Sequence, residues 1–177
     1  LVEADKNIIA ETRDKWISQA NALDDFGVMV ADDVNNIFDN LEPKTTDNEY
    51  TYFLIKNSET HGRAFLKIMH AAPHRKDESW FKLLKIRLEP NLNLEGKDAK
   101  SGDDASGMFE VLAAAIFESI NLIFTNDIRT VKIYGRTEEM RIMFLAVLTN
   151  EPLKKLFSDK GLNARQEGAW LVVEKQG

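Results

Sequence analysis

The residues of this sequence most ready to move protons are its three histidines, His61, His70 and His74. A neutral imidazole titrates close to physiological pH, so His70 or His74 is a candidate general base. Glu89, at the end of a strand-like run, is the carboxylate candidate for the same task. His70 and His74 have the i, i+4 spacing that puts two metal ligands on one helix face. Pro73 lies between them and no carboxylate follows at ligand spacing, so no metal site is expected. Serine chemistry has no G-x-S-x-G elbow to build on. Ser106, in Ala105-Ser106-Gly107, reads as a helix cap rather than a nucleophile. Asp24-Asp25 and Asp32-Asp33 lack EF-hand spacing and read as helix-end and solvent-face charges. The absence of Cys excludes disulfides, iron–sulfur clusters, Cys-ligated zinc and a thiolate nucleophile. No P-loop or dinucleotide fingerprint occurs.

Charge offers a second kind of chemistry. The chain is net −6, but unevenly so. Residues 1–60 carry 5 basic and 13 acidic groups, residues 61–87 carry 7 and 2, residues 88–130 carry 3 and 8, and residues 131–177 carry 8 and 6. A basic strip therefore lies between two acidic segments. Arg63, Lys67, Lys82, Lys85 and Arg87 are its candidate anion-binding residues. The same residues also suit solvated strand edges paired with acidic neighbours. The overall acidity argues against direct nucleic-acid binding, which needs clustered Lys and Arg.

The elements that must position these groups follow from periodicity. Residues Val2–Leu23 and Val28–Leu41 read as amphipathic helices, the second stopped by Pro43. Lys44–Glu49 reads as a polar loop. Tyr50–Lys56 and Arg63–His70 read as a strand pair, and Ser79–Leu88 as a third strand, with Trp80, Lys82, Leu84, Ile86 and Leu88 on one face. Glu89–Ser106 reads as a long linker, with Asp104 or Ser106 capping the next helix. Gly107–Phe124 is apolar almost all round and belongs at the centre, with Met108, Val111, Leu112, Ala115, Ile116 and Ile123 buried. Glu110, Glu118 and Asn121 interrupt it, so it is not read as a membrane span. Thr130–Tyr134 is a short strand, Thr137 caps a helix to about Leu148, and Asn150 with Pro152 restarts a helix ending before Gly161. Asn163–Gln166 and Ala169–Lys175 flank a turn at Glu167-Gly168. Trp16, Trp80 and Trp170 all fall on apolar patterns, and core packing is expected for at least two of them.

With 177 residues, the chain is expected to form one α+β domain. Its order is ααβββαβαββ, a mixed, mainly antiparallel sheet with helices on both faces. Residues 1–43 form a helical pair and 44–177 the sheet-and-helix core. This order resembles the GCN5-related N-acetyltransferase fold, with its first strand missing or reduced to Leu1-Val2. The closest local likeness is Leu156-Phe157-Ser158-Asp159-Lys160-Gly161-Leu162, similar to a family helix end that reads L-Y-x-K-x-G-F before a hairpin.

The resemblance implies acetyl-CoA as cofactor, a tyrosine general acid, and a glycine-rich loop whose backbone N–H groups and helix N-terminus hold the pyrophosphate. Ser101, Gly102 and Gly107 are the matching cofactor-binding candidates. Asp103 and Asp104 stand beside them and would repel phosphate, and Phe157 replaces the proton-donating tyrosine. The expectation is an acetyltransferase-like module that has lost acyl-CoA chemistry, needs no cofactor and binds a protein partner. The alternatives are a divergent acyl-CoA-dependent N-acyltransferase and an acidic effector whose charge mimics nucleic acid. No signal peptide is visible, since Lys6, Glu11 and Asp14 sit where an apolar core would be. A soluble protein, cytoplasmic rather than secreted, is expected.

Overall fold

The computed structural model describes residues 1–23, 27–56, 59–75, 78–92, 102–126 and 128–176, without the side chains of 102–106 and 139. Among them are eight strands and five α-helices. In chain order they are β1 (Val2–Glu3), α1 (Lys6–Asn21), α2 (Gly27–Asp39), β2 (Lys44–Thr46), β3 (Glu49–Leu54), β4 (Ala64–Ala71), β5 (Trp80–Leu88), α3 (Gly102–Thr125), β6 (Thr130–Tyr134), α4 (Glu138–Thr149), α5 (Glu151–Asp159), β7 (Leu162–Glu167) and β8 (Trp170–Lys175).

The strands form one sheet in the order β1-β3-β4-β5-β6-β8-β7, with β2 added beside β3. β1 and β2 pair antiparallel with β3, and β8 pairs antiparallel with β6 and β7. β5 and β6 run parallel, joined through α3, as a crossover connection requires. This element order, with one parallel pair in a mainly antiparallel sheet, is the mixed α+β architecture that the sequence predicts.

The residues cluster into two compact units, Leu1–Lys67 with Lys85–Ala115, and Ile68–Leu84 with Ile116–Gly177. The helical pair is packed against strands of the first unit. In the first unit, Trp16 of α1 and Phe38 of α2 meet edge to face at 5.4 Å, and both rings contact Phe65 of β4. The Trp16 indole donates to the Gly62 carbonyl at 2.8 Å, while the Gly62 N–H donates to the Thr12 hydroxyl at 2.8 Å. Gly62 has no space for a side chain there; a Cβ would collide with the Phe53 ring. Arg13 ties α1 to α2 through Asn35 and Asp39, each at 2.8 Å.

In the second unit the apolar face of the strands, Phe81, Leu83, Val131, Ile133, Leu171 and Val173, is buried along with Ile116, Ile120 and Ile123 of α3 and Phe144 of α4. Phe117 stacks on Phe157 of α5 at 6.2 Å. Thr137 and Asn150 cap α4 and α5 as their positions predict. Gly161 and Gly168 take positive φ at the two turns that flank β7.

Several boundaries differ from expectation. Val2–Glu3 pairs with Phe53 and Tyr52 as an edge strand, so α1 begins only after Asp5, whose carboxylate accepts from the N–H groups of Asn7 and Ile8. The polar stretch after Pro43 contains β2, whose exposed residues need no apolar pattern because the strand lies at an edge. The expected linker is shorter than Glu89–Ser106. Pro90–Leu92 forms a 3-10 turn with Pro90 and Leu92 buried, and α3 starts at Gly102. Met108 is partly exposed rather than buried. β5 buries Phe81 and Leu83, not the Trp80, Lys82 and Leu84 face. Its alternation then breaks at Leu84-Lys85, both exposed, the pattern a bulge produces. The parallel ladder with β6 ends at the same place, at Leu83↔Ile133.

Candidate functional site

Glu89 follows β5 directly and is buried, with 5% of the residue exposed. A charge at such depth must be paired and hydrogen-bonded. Arg63, just before β4, donates from Nε to one oxygen at 2.9 Å, and Gln19 of α1 donates to the other at 2.7 Å. The backbone closes the same contact, with Glu89 N–H on the Arg63 carbonyl at 2.9 Å. The cluster thus ties α1, the start of β4 and the end of β5. Gln19 Oε1 is buried with no partner. Neither Gln19 nor Arg63 was expected to meet Glu89, since they lie far from it in the chain and share no motif.

His70 is near the end of β4 and packs edge-on against Phe81 at 4.8 Å. Its Nε2 is buried without a hydrogen-bond partner. Burial first, then the neighbouring His74, lowers its pKa below the usual 6.5. It is therefore a neutral imidazole at neutral pH. His74 itself is exposed. Among the described residues no group of three or more His, Asp or Glu could hold a metal.

The residues of the basic strip have separate surroundings. Arg63 is paired with Glu89, Lys67 donates to the Thr45 hydroxyl at 3.1 Å, and Lys85 lies 5.9 Å over the Phe65 ring. Arg87 is half-buried on β5. Lys82 belongs to the second unit and sits 4.8 Å over the Trp170 ring. Of the cofactor candidates, Ser101 lies outside the described residues. Gly102 opens α3, so its N–H is among the free donors of a helix start. Gly107 is in the second turn, where a backbone N–H bonds within the helix. A Cβ on Gly107 would meet Leu92 Cδ2 at 3.3 Å, a packing reason for glycine there.

A different constellation occupies the outward face of β5, β6 and β8. Lys82 and Lys132 are register partners on adjacent strands, as are Tyr134 and Trp170. Lys132 lies 4.8 Å over the Trp80 ring, and Tyr134 packs on Trp170 at 4.8 Å. Trp80 and Trp170 are half-buried, so of the three tryptophans only Trp16 is a core residue. Lys132 and Tyr134 passed unnoticed in the sequence. The alternation Thr130-Val131-Lys132-Ile133-Tyr134 was their signal, but it does not say whether a helix covers the face. Beyond β8, Arg165 of β7 holds both Glu174 and Glu167, and those two hydrogen bonds, Glu174 first, raise its pKa. On the other side of the unit, a cavity of about 240 Å³ is lined by Val147, Phe157, Leu162 and Asn163. It is smaller than the roughly 300–1,000 Å³ of ordinary ligand sites.

No protein-family model matches the chain, and no curated protein does. Among solved structures, it is similar to an acetyltransferase from Streptococcus agalactiae 2603, with 12% identity, a TM-score of 0.36, and coverage of 99% of this chain and 94% of that one.

Proposed function

We propose that this chain uses an acetyltransferase-like fold to bind a protein partner and has lost acyl-CoA chemistry. The observation that carries the reading is Phe157. The resemblance puts a proton-donating tyrosine at this position, and here a phenyl ring fills it, 5% exposed and stacked on Phe117. A phenyl ring has no proton to donate. Glu89 supports the same reading. Its two oxygens are engaged by Arg63 and Gln19, so it works as a structural tie and not as a base. Calorimetric titration with acetyl-CoA and CoA tests the proposal. The expected affinity is about millimolar or weaker, with no acetyl group transferred to amine substrates. Micromolar binding or measurable transfer overturns it.

One observation favours a second reading, a divergent N-acyltransferase. His70 is neutral and its Nε2 is unpaired, as a base awaiting a substrate proton would be. Under that reading His70→Gln lowers kcat and removes the acid limb of the pH–rate profile. Gly102 would then be the first backbone donor to examine for phosphate.

A further inference from the structure

We infer that the outward face of β5, β6 and β8 is a docking surface for a carboxylate-rich segment of a protein partner, held between Lys82 and Lys132 and bordered by Trp80, Tyr134 and Trp170. The inference rests on the protein-binding reading above and names the chemistry of the partner.

The argument begins with a cost. Lys82 and Lys132 stand directly opposite each other on neighbouring strands. Like charges in that position destabilise a sheet. A sheet with no use for them would put a carboxylate nearby, and neither lysine has an ion pair among the described residues. The carboxylates of the same face, Glu167 and Glu174, are both turned to Arg165. Each ammonium lies over an indole instead, Lys132 over Trp80 and Lys82 over Trp170. Such contacts orient a cation without neutralising it. The result is two positioned, uncompensated ammonium groups side by side. An incoming carboxylate relieves their repulsion and gains two charge-assisted hydrogen bonds.

The surroundings fit a protein. Every outward residue of this face except Val172 keeps contact with solvent, with Tyr134 45% and Leu84 39% exposed. Tryptophan and tyrosine around a charged centre are the residue types that dominate binding energy at protein interfaces. Charge agrees locally. The second unit carries 12 Lys and Arg against 10 Asp and Glu, net +2 in a chain of −6. A nucleic-acid strand fits less well. Single-strand binders stack bases on open aromatic faces, whereas here the ammonium groups lie over both indoles.

Fluorescence anisotropy with a short fluorescein-labelled peptide rich in Glu and Tyr tests this at low ionic strength. Oligothymidine serves as the competing probe. The expected dissociation constant is about 10–100 μM, weakened roughly tenfold or more in Lys82→Gln/Lys132→Gln. Lys154→Gln/Lys155→Gln, on α5, should leave it unchanged. The first double variant should melt at or above the wild-type temperature, because a repulsion is removed. Should it fail to fold, the wild-type protein still decides the matter. The peptide should shift the indole N–H resonances of Trp80 and Trp170 in NMR spectra and leave that of Trp16 in place. Unchanged binding in the lysine variant, unmoved indoles, no binding below about 1 mM, or oligothymidine binding tighter than the peptide each overturns the inference. The two readings fail separately. Acetyl-CoA binding removes the non-enzymatic reading and leaves the titration to judge this face, and a failed peptide titration without acetyl-CoA binding removes this face alone.

Discussion

Glu89 combines a full charge with near-complete burial, so its stability depends on Arg63 and Gln19 staying in place. Removing one member of a buried pair leaves the other charge unpaired, at a cost of about 3–5 kcal/mol. The Arg63 side chain keeps 21% of its exposure, which puts the expected loss for Arg63→Ala near the lower end. Urea unfolding of that variant measures it. A loss of less than about 1 kcal/mol means that water already shares the carboxylate. In the sequence Glu89 is a carboxylate at the end of a strand and a candidate general base. Whether such a group acts as a base or as a tie depends on what lies within 3 Å of its oxygens. Here those neighbours come from α1 and from the residue before β4, and no local pattern announces them.

Helix α3 shows how far periodicity carries at the scale of an element. Its stretch Gly107–Thr125 is long and apolar enough to cross a membrane by length and composition. The fold uses Val111, Ala115, Ile116, Ile120 and Ile123 as core residues and leaves Phe109 and Phe124 more than 40% exposed. The apolar run thus gave the helix and its buried face, and missed the start by one turn and a half. Residues 102–106 carry Asp103, Asp104 and Ser106, which read equally well as linker or as the first turn of a helix. Ile116 is fully buried, and Ile116→Ala is expected to lower stability by about 2–5 kcal/mol in urea unfolding. A loss below half of that range's lower end would place the helix outside the core. In β5 the reasoning from alternation chose the wrong face. Trp80 and Leu84 on either side of Lys82 make a partly exposed face look apolar, and the break at Leu84-Lys85 shifts the period.

At the scale of the whole molecule, His70 and Tyr52 make stability depend on pH at opposite ends of the range. His70 has a folded-state pKa below 6.5, so the unfolded chain binds the extra proton first. Its contribution is present above pH 6.5 and is lost as pH falls through the folded-state value. Tyr52 is raised from 10.0 to about 12, by burial first, then by Glu3 and Tyr50. Its contribution is full below pH 10 and is lost as pH rises toward 12. Melting temperature measured against pH should therefore fall at both ends. His70→Gln should flatten the acid limb alone, and Tyr52→Phe the alkaline limb alone. A wild-type profile unaltered by either substitution contradicts the burial assigned to these two rings.

Local chemistry was enough to determine the kinds and order of most elements. Helix caps at Thr137 and Asn150, the stop at Pro43, the glycine at Gly161 and the strand pattern of Thr130–Tyr134 are short-range effects, written within a few residues of where they act. From that order a mixed, mainly antiparallel α+β sheet could be anticipated. The tertiary structure alone decided which polar groups meet. Lys82 and Lys132 become neighbours only because a parallel crossover through α3 brings β6 beside β5, and Glu89 meets Gln19 only because α1 folds back onto the strands. Charges and aromatic rings interact across space whatever their separation in the chain. A one-dimensional pattern records their presence, and the register of the sheet determines their partners.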